Sequence, residues 1–215
     1  MTEELQQGSA EWIAARLGKV TASRISDVMA KTKSGAPSEM RANYMADLIT
    51  ERLTGKQAER YVSAAMQWGT DTEAAARASY QFEAGVLVQT VGFVDHPRIS
   101  MSGASPDGYV GSEGLIEAKC PETKTHINTL LGASVDGRYV KQIQWQLGTT
   151  GRKWCDFISF DPRMPESMQI HITRVHRDDK LITELEAQVR EFLSELDAKL
   201  AALTSRYGTP VREAA

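Results

Sequence analysis

The chain has 215 residues, 41% hydrophobic and 25% charged, the composition of an ordinary water-soluble domain long enough to bury a sizeable core. Its two cysteines, Cys120 and Cys155, exclude a disulfide framework and a four-thiolate cluster, and they suit a reducing cytosol. The 25 basic and 28 acidic side chains give a net charge of −3, which excludes a uniformly basic nucleic-acid binder but not an enzyme that segregates its charge.

The segregation is visible in the sequence. Residues 61–120 carry 3 basic and 7 acidic side chains. Residues 16–41 hold Arg16, Lys19, Arg24, Lys31, Lys33 and Arg41 against only Asp27 and Glu39. No apolar run approaches the roughly 20 residues of a membrane span. The opening MTEELQQGSAEW lacks the basic-then-apolar order of a secretory signal. A cytoplasmic protein without a membrane segment is expected.

Ser9 reads as the cap of a first helix that ends near Gly18. Thr21 to Ala30 reads as a second, with Ile25, Val28 and Met29 on one face. Residues 31–37 form a loop by composition. Ser38 caps a third helix, with Met40, Tyr44, Met45, Leu48 and Leu53 at helical spacing and a stop at Gly55. Thr70 opens a fourth that runs to about Ala84, and Thr70-Asp71-Thr72-Glu73 fits a capping box.

The period then changes. Val86 to Val94 reads as one strand, Ile99 to Ser102 and Asp107 to Val110 as short strands, and Leu115 to Cys120 as another after the turn at 111–114. Helices are predicted over 123–131 and 138–150, and strands over 154–160 and 168–175. A long helix over 178–203 carries Leu181, Leu185, Val189, Phe192, Leu196 and Leu200 on one face. This order predicts an α/β (α+β) fold, with one domain over 1–204 and a polar tail over 205–215.

Asp107 follows Ser105-Pro106 and precedes Gly108; Glu117 and Lys119 lie ten and twelve residues further on. Strand alternation puts Glu117 and Lys119 on one face and Ile116, Ala118 and Cys120 on the other. The intervening glycines allow a hairpin that returns Asp107 beside Glu117. Two adjacent carboxylates repel unless they share a proton or a cation, and oxygen ligands favour Mg²⁺. A nearby lysine suits metal-assisted phosphodiester hydrolysis. Taken singly, a Glu-Xaa-Lys tripeptide is usually a solvated strand face, and Pro-Asp-Gly a turn. The four histidines show no zinc-ligand spacing with either cysteine.

Pro106-Asp107 with Glu117-Ala118-Lys119 resembles the motif of the PD-(D/E)xK nuclease superfamily. More closely, the chain resembles the phage lambda exonuclease branch, the YqaJ-like viral recombinases. The likeness runs from about Trp12 to Leu200. It takes in Arg16-Leu17-Gly18, Thr21-Ala22-Ser23, Trp68-Gly69 with Glu73, Gln142-Ile143-Gln144 and Asp161-Pro162-Arg163-Met164.

The resemblance implies a restriction-endonuclease-like core, a central mixed sheet flanked by helices. It implies processive 5′→3′ digestion of one strand of duplex DNA, preferring 5′-phosphorylated ends and releasing mononucleotides. Two Mg²⁺ ions, with Mn²⁺ a possible substitute, would be held by Asp107, Glu117, the Ala118 carbonyl and Glu73. Lys119 would activate the water, with Gln142 beside it. Arg16 and Ser23 would bind the 5′ phosphate with Lys33, which stands where relatives can have arginine. Partners would be two further copies in a homotrimeric ring and a phage single-strand annealing protein in a bacterial host. Glu73 keeps two readings, helix cap and metal ligand. The competing functions are an endonuclease of the same superfamily and a DNA-end-binding module without catalysis.

Overall fold

The computed structural model describes residues 6–58 and 63–208. Ser9 caps α1 (Ala10–Arg16), its side chain accepting from the Trp12 amide. β1 (Val20–Thr21) follows, then a 3₁₀ turn at Ala22–Arg24 and a single helical turn, α2 (Ile25–Val28). The expected second helix over Thr21 to Ala30 is therefore a strand residue, a 3₁₀ turn and one α-helical turn. Ser38 caps α3 (Glu39–Thr54), and Gly55 closes it in the left-handed conformation that glycine adopts without strain.

α4 (Ala64–Ala84) starts earlier than expected. Ser63 is its cap, accepting from the Met66 amide. Thr70 lies inside the helix, and its hydroxyl donates to the Met66 carbonyl. The capping box at Thr70–Glu73 is thus absent, and Glu73 is a mid-helix residue paired with Arg77 at 2.9 Å.

The single strand expected over 86–94 is two. β2 (Val88–Gln89) pairs antiparallel with β5 (Gly108–Val110), whereas β3 (Val94–Asp95) pairs with β4 (Ser102–Ala104) in another sheet. β6 (Gly114–Lys119), α5 (Thr123–Leu130), α6 (Gly137–Thr150), β7 (Trp154–Phe160) and β8 (Ile170–His176) follow. α7 (Asp179–Tyr207) continues past the boundary expected at 204. Of the polar tail, residues 209–215 lie outside the described residues.

The main sheet has the order β2-β5-β6-β7-β8. β5–β6 and β7–β8 are antiparallel, and β6–β7 is parallel, with α5 and α6 as the crossover between them. A small second sheet runs β1-β4-β3. The fold is thus a mixed sheet flanked by helices, as the fold class required.

Alternation along β6 separates two apolar layers. Ile116 and Ala118 join Ala76 and Tyr80 of α4 with Ile158 and Phe160. Leu115 joins Ile143 and Leu147 of α6 with Cys155 and Phe157. A third layer sets Leu185, Val189, Phe192 and Leu196 of α7 against Tyr44, Met45 and Leu48 of α3, where the Tyr44 and Phe192 rings stack at 5.7 Å. Each fully buried Leu or Phe contributes about 1.5–3 kcal/mol. Arg41 straps α3 to α7 through a two-pronged pair with Glu195, at 2.7 and 2.8 Å.

Gly108 is required by proximity rather than by a turn. A Cβ there would stand 2.2 Å from the Val88 Cγ1 of β2. Among the described residues, no helix is long and apolar enough to cross a membrane.

Candidate active site

β5 and β6 form the hairpin, with Gly108 opposite Ile116. The register places Asp107 at the end of β5, where its Oδ2 accepts the Ala118 amide at 2.7 Å. Glu117 is 1% exposed and faces α6. Its Oε1 accepts from the Gln142 amide at 2.7 Å and lies 2.5 Å from the Lys119 ammonium. Its Oε2 accepts from the Gln146 amide at 2.6 Å. Gln142 and Gln146 are one turn apart on α6, so i,i+4 spacing delivers one donor to each carboxylate oxygen. Gln144 points away, donating to the His176 carbonyl and accepting from the Asp178 amide.

A cavity of about 690 Å³ opens around the C-terminal end of β6. Asp107, Ala118, Lys119 and Cys120 line it together with Glu73 and Trp68 of α4, Tyr139 of α6 and Arg163. Glu73 thereby reaches the same space as Asp107 from the opposite layer. Arg163 lies over the Trp68 ring at 4.6 Å and is held by the buried Asp161. Lys119 also lies 5.1 Å from the Tyr139 ring centre.

The electrostatics follow from burial of like charges. Burial, then the neighbouring Glu117 carboxylate, pushes the Asp107 carboxyl well above its ordinary range. Burial works against the Lys119 charge, but Glu117 and Asp107 outweigh it and raise the lysine above its usual value. Lys119 is thus held as an ammonium against Glu117. Burial, then Glu73, raises the Cys120 thiol to about 11, which suits a packed thiol rather than a nucleophile.

Among the described residues, no three His, Cys, Asp or Glu side chains stand together as a ready-made ligand set. The chemistry of the donors nonetheless fits a hard divalent cation. Asp107 and Glu73 line one cavity, with the buried Glu117 carboxylate next to the lining Lys119, and a cation there would offset the repulsion that raises the Asp107 carboxyl.

The sequence pattern of the YqaJ-like viral recombinase domain matches residues 11–153. The chain belongs to the YqaJ-like viral recombinase family. An alkaline exonuclease from Laribacter hongkongensis, LHK-Exo, superposes with a TM-score of 0.86 at 52% identity, over 92% of this chain and 97% of that one. The same enzyme in complex with dAMP superposes equally well. A phage-related exonuclease from Haemophilus somnus 129PT shares the fold at a TM-score of 0.70 and 16% identity, over 86% of this chain and 96% of that one. No curated protein matches the chain.

In this member of the YqaJ-like family, the residues expected at the DNA end are not gathered as tightly as those of the hairpin. The Arg16 guanidinium lies over the Trp12 ring at 4.1 Å and lines a small crevice with Lys19, Thr21 and Tyr44. The crevice has only about 10 Å³ of open space, room for about one water, and is too small to enclose a phosphate. Ser23 is exposed, its hydroxyl 3.5 Å from that of Thr21. Lys33 is exposed in the turn that Gly35 closes onto Thr32. Neither Ser23 nor Lys33 lines the crevice. Gln146 is the contact that sequence reasoning left without a role. Its spacing from Gln142 was the available signal.

Proposed function

We propose that the protein is a Mg²⁺-dependent exonuclease that digests one strand of duplex DNA in the 5′→3′ direction. The observation that carries the reading is that Asp107, Lys119 and Glu73 line one cavity, with the Glu117 carboxylate 2.5 Å from the Lys119 ammonium. The 52% identity to an alkaline exonuclease over nearly the whole chain supports it.

Asp107, Glu117, the Ala118 carbonyl and Glu73 hold the cation, and Mn²⁺ can substitute because it accepts the same oxygen donors. The bound cation supplies Lewis-acid polarisation of the scissile phosphate and compensation of its developing charge. Lys119, kept protonated by its carboxylate neighbours, orients the attacking water and donates to the phosphate oxygen that gains charge. Gln142 fixes Glu117 on the α6 side. Arg16, with Ser23 and Lys33, receives the 5′ phosphate, for which a forked guanidinium, a hydroxyl and an ammonium are suitable donors.

The working form is a homotrimer in the cytoplasm of a bacterial host, beside a phage single-strand annealing protein. Phe82 and Leu87, 90% and 87% exposed around the end of α4, suit a subunit contact. Light scattering should return three times the 23.7 kDa chain mass, and a strictly monomeric mass ends the ring assignment.

Digestion of a linear duplex labelled at one 5′ end, with and without Mg²⁺, tests the activity. Early, Mg²⁺-dependent release of labelled mononucleotide is expected. Internal fragments would instead identify an endonuclease, and duplex retained uncut would identify an end-binding module.

A further inference from the structure

We infer that Gln146 is a positioning residue for Glu117, sharing with Gln142 the task of fixing that carboxylate for cation binding. This rests on the metal-dependent reading above. Gln146 is fully buried, and its neighbours Ile143 and Leu147 on the same helix pack into an apolar layer. An apolar side chain of similar length would fit such a layer without desolvating an amide. The amide is not even fully satisfied, because its carbonyl oxygen is buried with no hydrogen-bond partner among the described residues. Its one polar contact is the donation to Glu117 Oε2 at 2.6 Å. Chemistry fixes the amide's orientation, since its oxygen turned toward a carboxylate would repel it.

The three donors on Glu117 differ in kind. Oε1 carries Gln142 and Lys119, and Oε2 carries Gln146. Lysine adds a positive charge that opposes an incoming cation, whereas the amides hold the carboxylate and add none. With Gln142 alone, Glu117 would be tethered through one oxygen and free to turn about it. Gln146 tethers the second oxygen and fixes the plane of the carboxylate. Loss of a partner that orients a metal-holding carboxylate typically weakens metal affinity 10- to 100-fold.

Gln146→Met keeps the length and the burial and removes the donor. Mn²⁺ alone serves as the calorimetric probe, alongside thermal melting and initial rates on linear duplex. The expected result is Mn²⁺ affinity weakened about tenfold or more, with kcat reduced, KM for DNA unchanged and the melting temperature close to wild type. Thr149→Val is the control. It removes a hydroxyl that is buried on the same helix and has no partner among the described residues, and it should leave Mn²⁺ affinity unchanged. If Gln146→Met fails to fold, Gln146→Asn, which withdraws the amide by one methylene, carries the same expectation. Unaltered Mn²⁺ affinity in the Gln146 variant, or an equal loss in Thr149→Val, overturns the inference. Wild-type protein that binds no Mn²⁺ at all removes the metal reading, and this inference with it.

Discussion

Trp12 donates its indole N–H to the Ser105 hydroxyl at 2.9 Å, two residues ahead of Asp107. Gln7 reinforces the tie, its amide donating to the Pro106 carbonyl at 2.8 Å and the Val91 carbonyl at 3.1 Å. Arg16 lies on the other side of this lacing, over the Trp12 ring. The segment proposed to read the DNA end is therefore anchored to the loop that carries a proposed metal ligand.

Ser105→Ala should cost about 1 kcal/mol in urea denaturation, since it strands a partly buried indole N–H. Turnover should fall as well, because the Asp107 loop loses a tie. Ser105→Thr, which keeps the hydroxyl, should restore both. Stability lost without any loss of turnover would confine the contact to folding.

Lys119→Ala leaves the Asp107 and Glu117 carboxylates without the neighbouring ammonium. Hydrolysis should fall at least about a hundredfold, the usual effect of removing one preorganised donor. Duplex binding, measured by gel shift, should persist. Full activity with Mg²⁺ would remove Lys119 from the chemistry.

Arg16→Ala should erase a preference for 5′-phosphorylated over 5′-hydroxyl ends. A charge-assisted contact of this kind is worth about 1.5–3 kcal/mol, or roughly tenfold or more in the rate ratio. Wild-type enzyme that digests both end types equally would refute the phosphate assignment.

Acid stability should show the signature of Asp161. Hydrogen bonds from Arg163, aided by Thr123, lower its carboxyl from 3.8 to about 2. A carboxyl with a depressed folded value stabilises the protein above its unfolded pKa, and that stability is lost as pH falls through 4 toward 2. Because Arg163 is half exposed, screening trims the contribution to about 1–2 kcal/mol. Asp161→Asn should flatten the wild-type stability profile across that window. An unchanged acid slope would count against the pairing.

Some of this site was readable in the sequence because alternation on a central strand is a strict rule. Leu115 to Lys119 can face only two ways, so Glu117 and Lys119 had to share a face. The i,i+4 spacing likewise set Gln142 and Gln146 together. That spacing does not reveal that the Gln146 amide meets Glu117, because a glutamine that packs and one that donates look the same in one dimension. Local chemistry misled at α4. Thr70 and Glu73 mimic a cap, yet the helix runs from Ala64 straight through them. Val86 to Val94 has uniform strand composition, and composition cannot say that its halves pair in different sheets. Arg16, Ser23 and Lys33 share a stretch of sequence, but only Arg16 lines the crevice, since a short 3₁₀ turn and a loop with its own hydrogen bonds separate them.

The tight approach of Val88 to Gly108 links parts of the site that the chain keeps apart. Glu73 rides on α4, α4 closes at Gly85, and β2 carries Val88 straight onto the backbone beside Asp107. Helix, short strand and hairpin follow one another in contact, with no side chain at position 108 between β2 and β5. Any side chain at position 108 would have to displace Val88, and with it the strand that follows directly from the helix carrying Glu73.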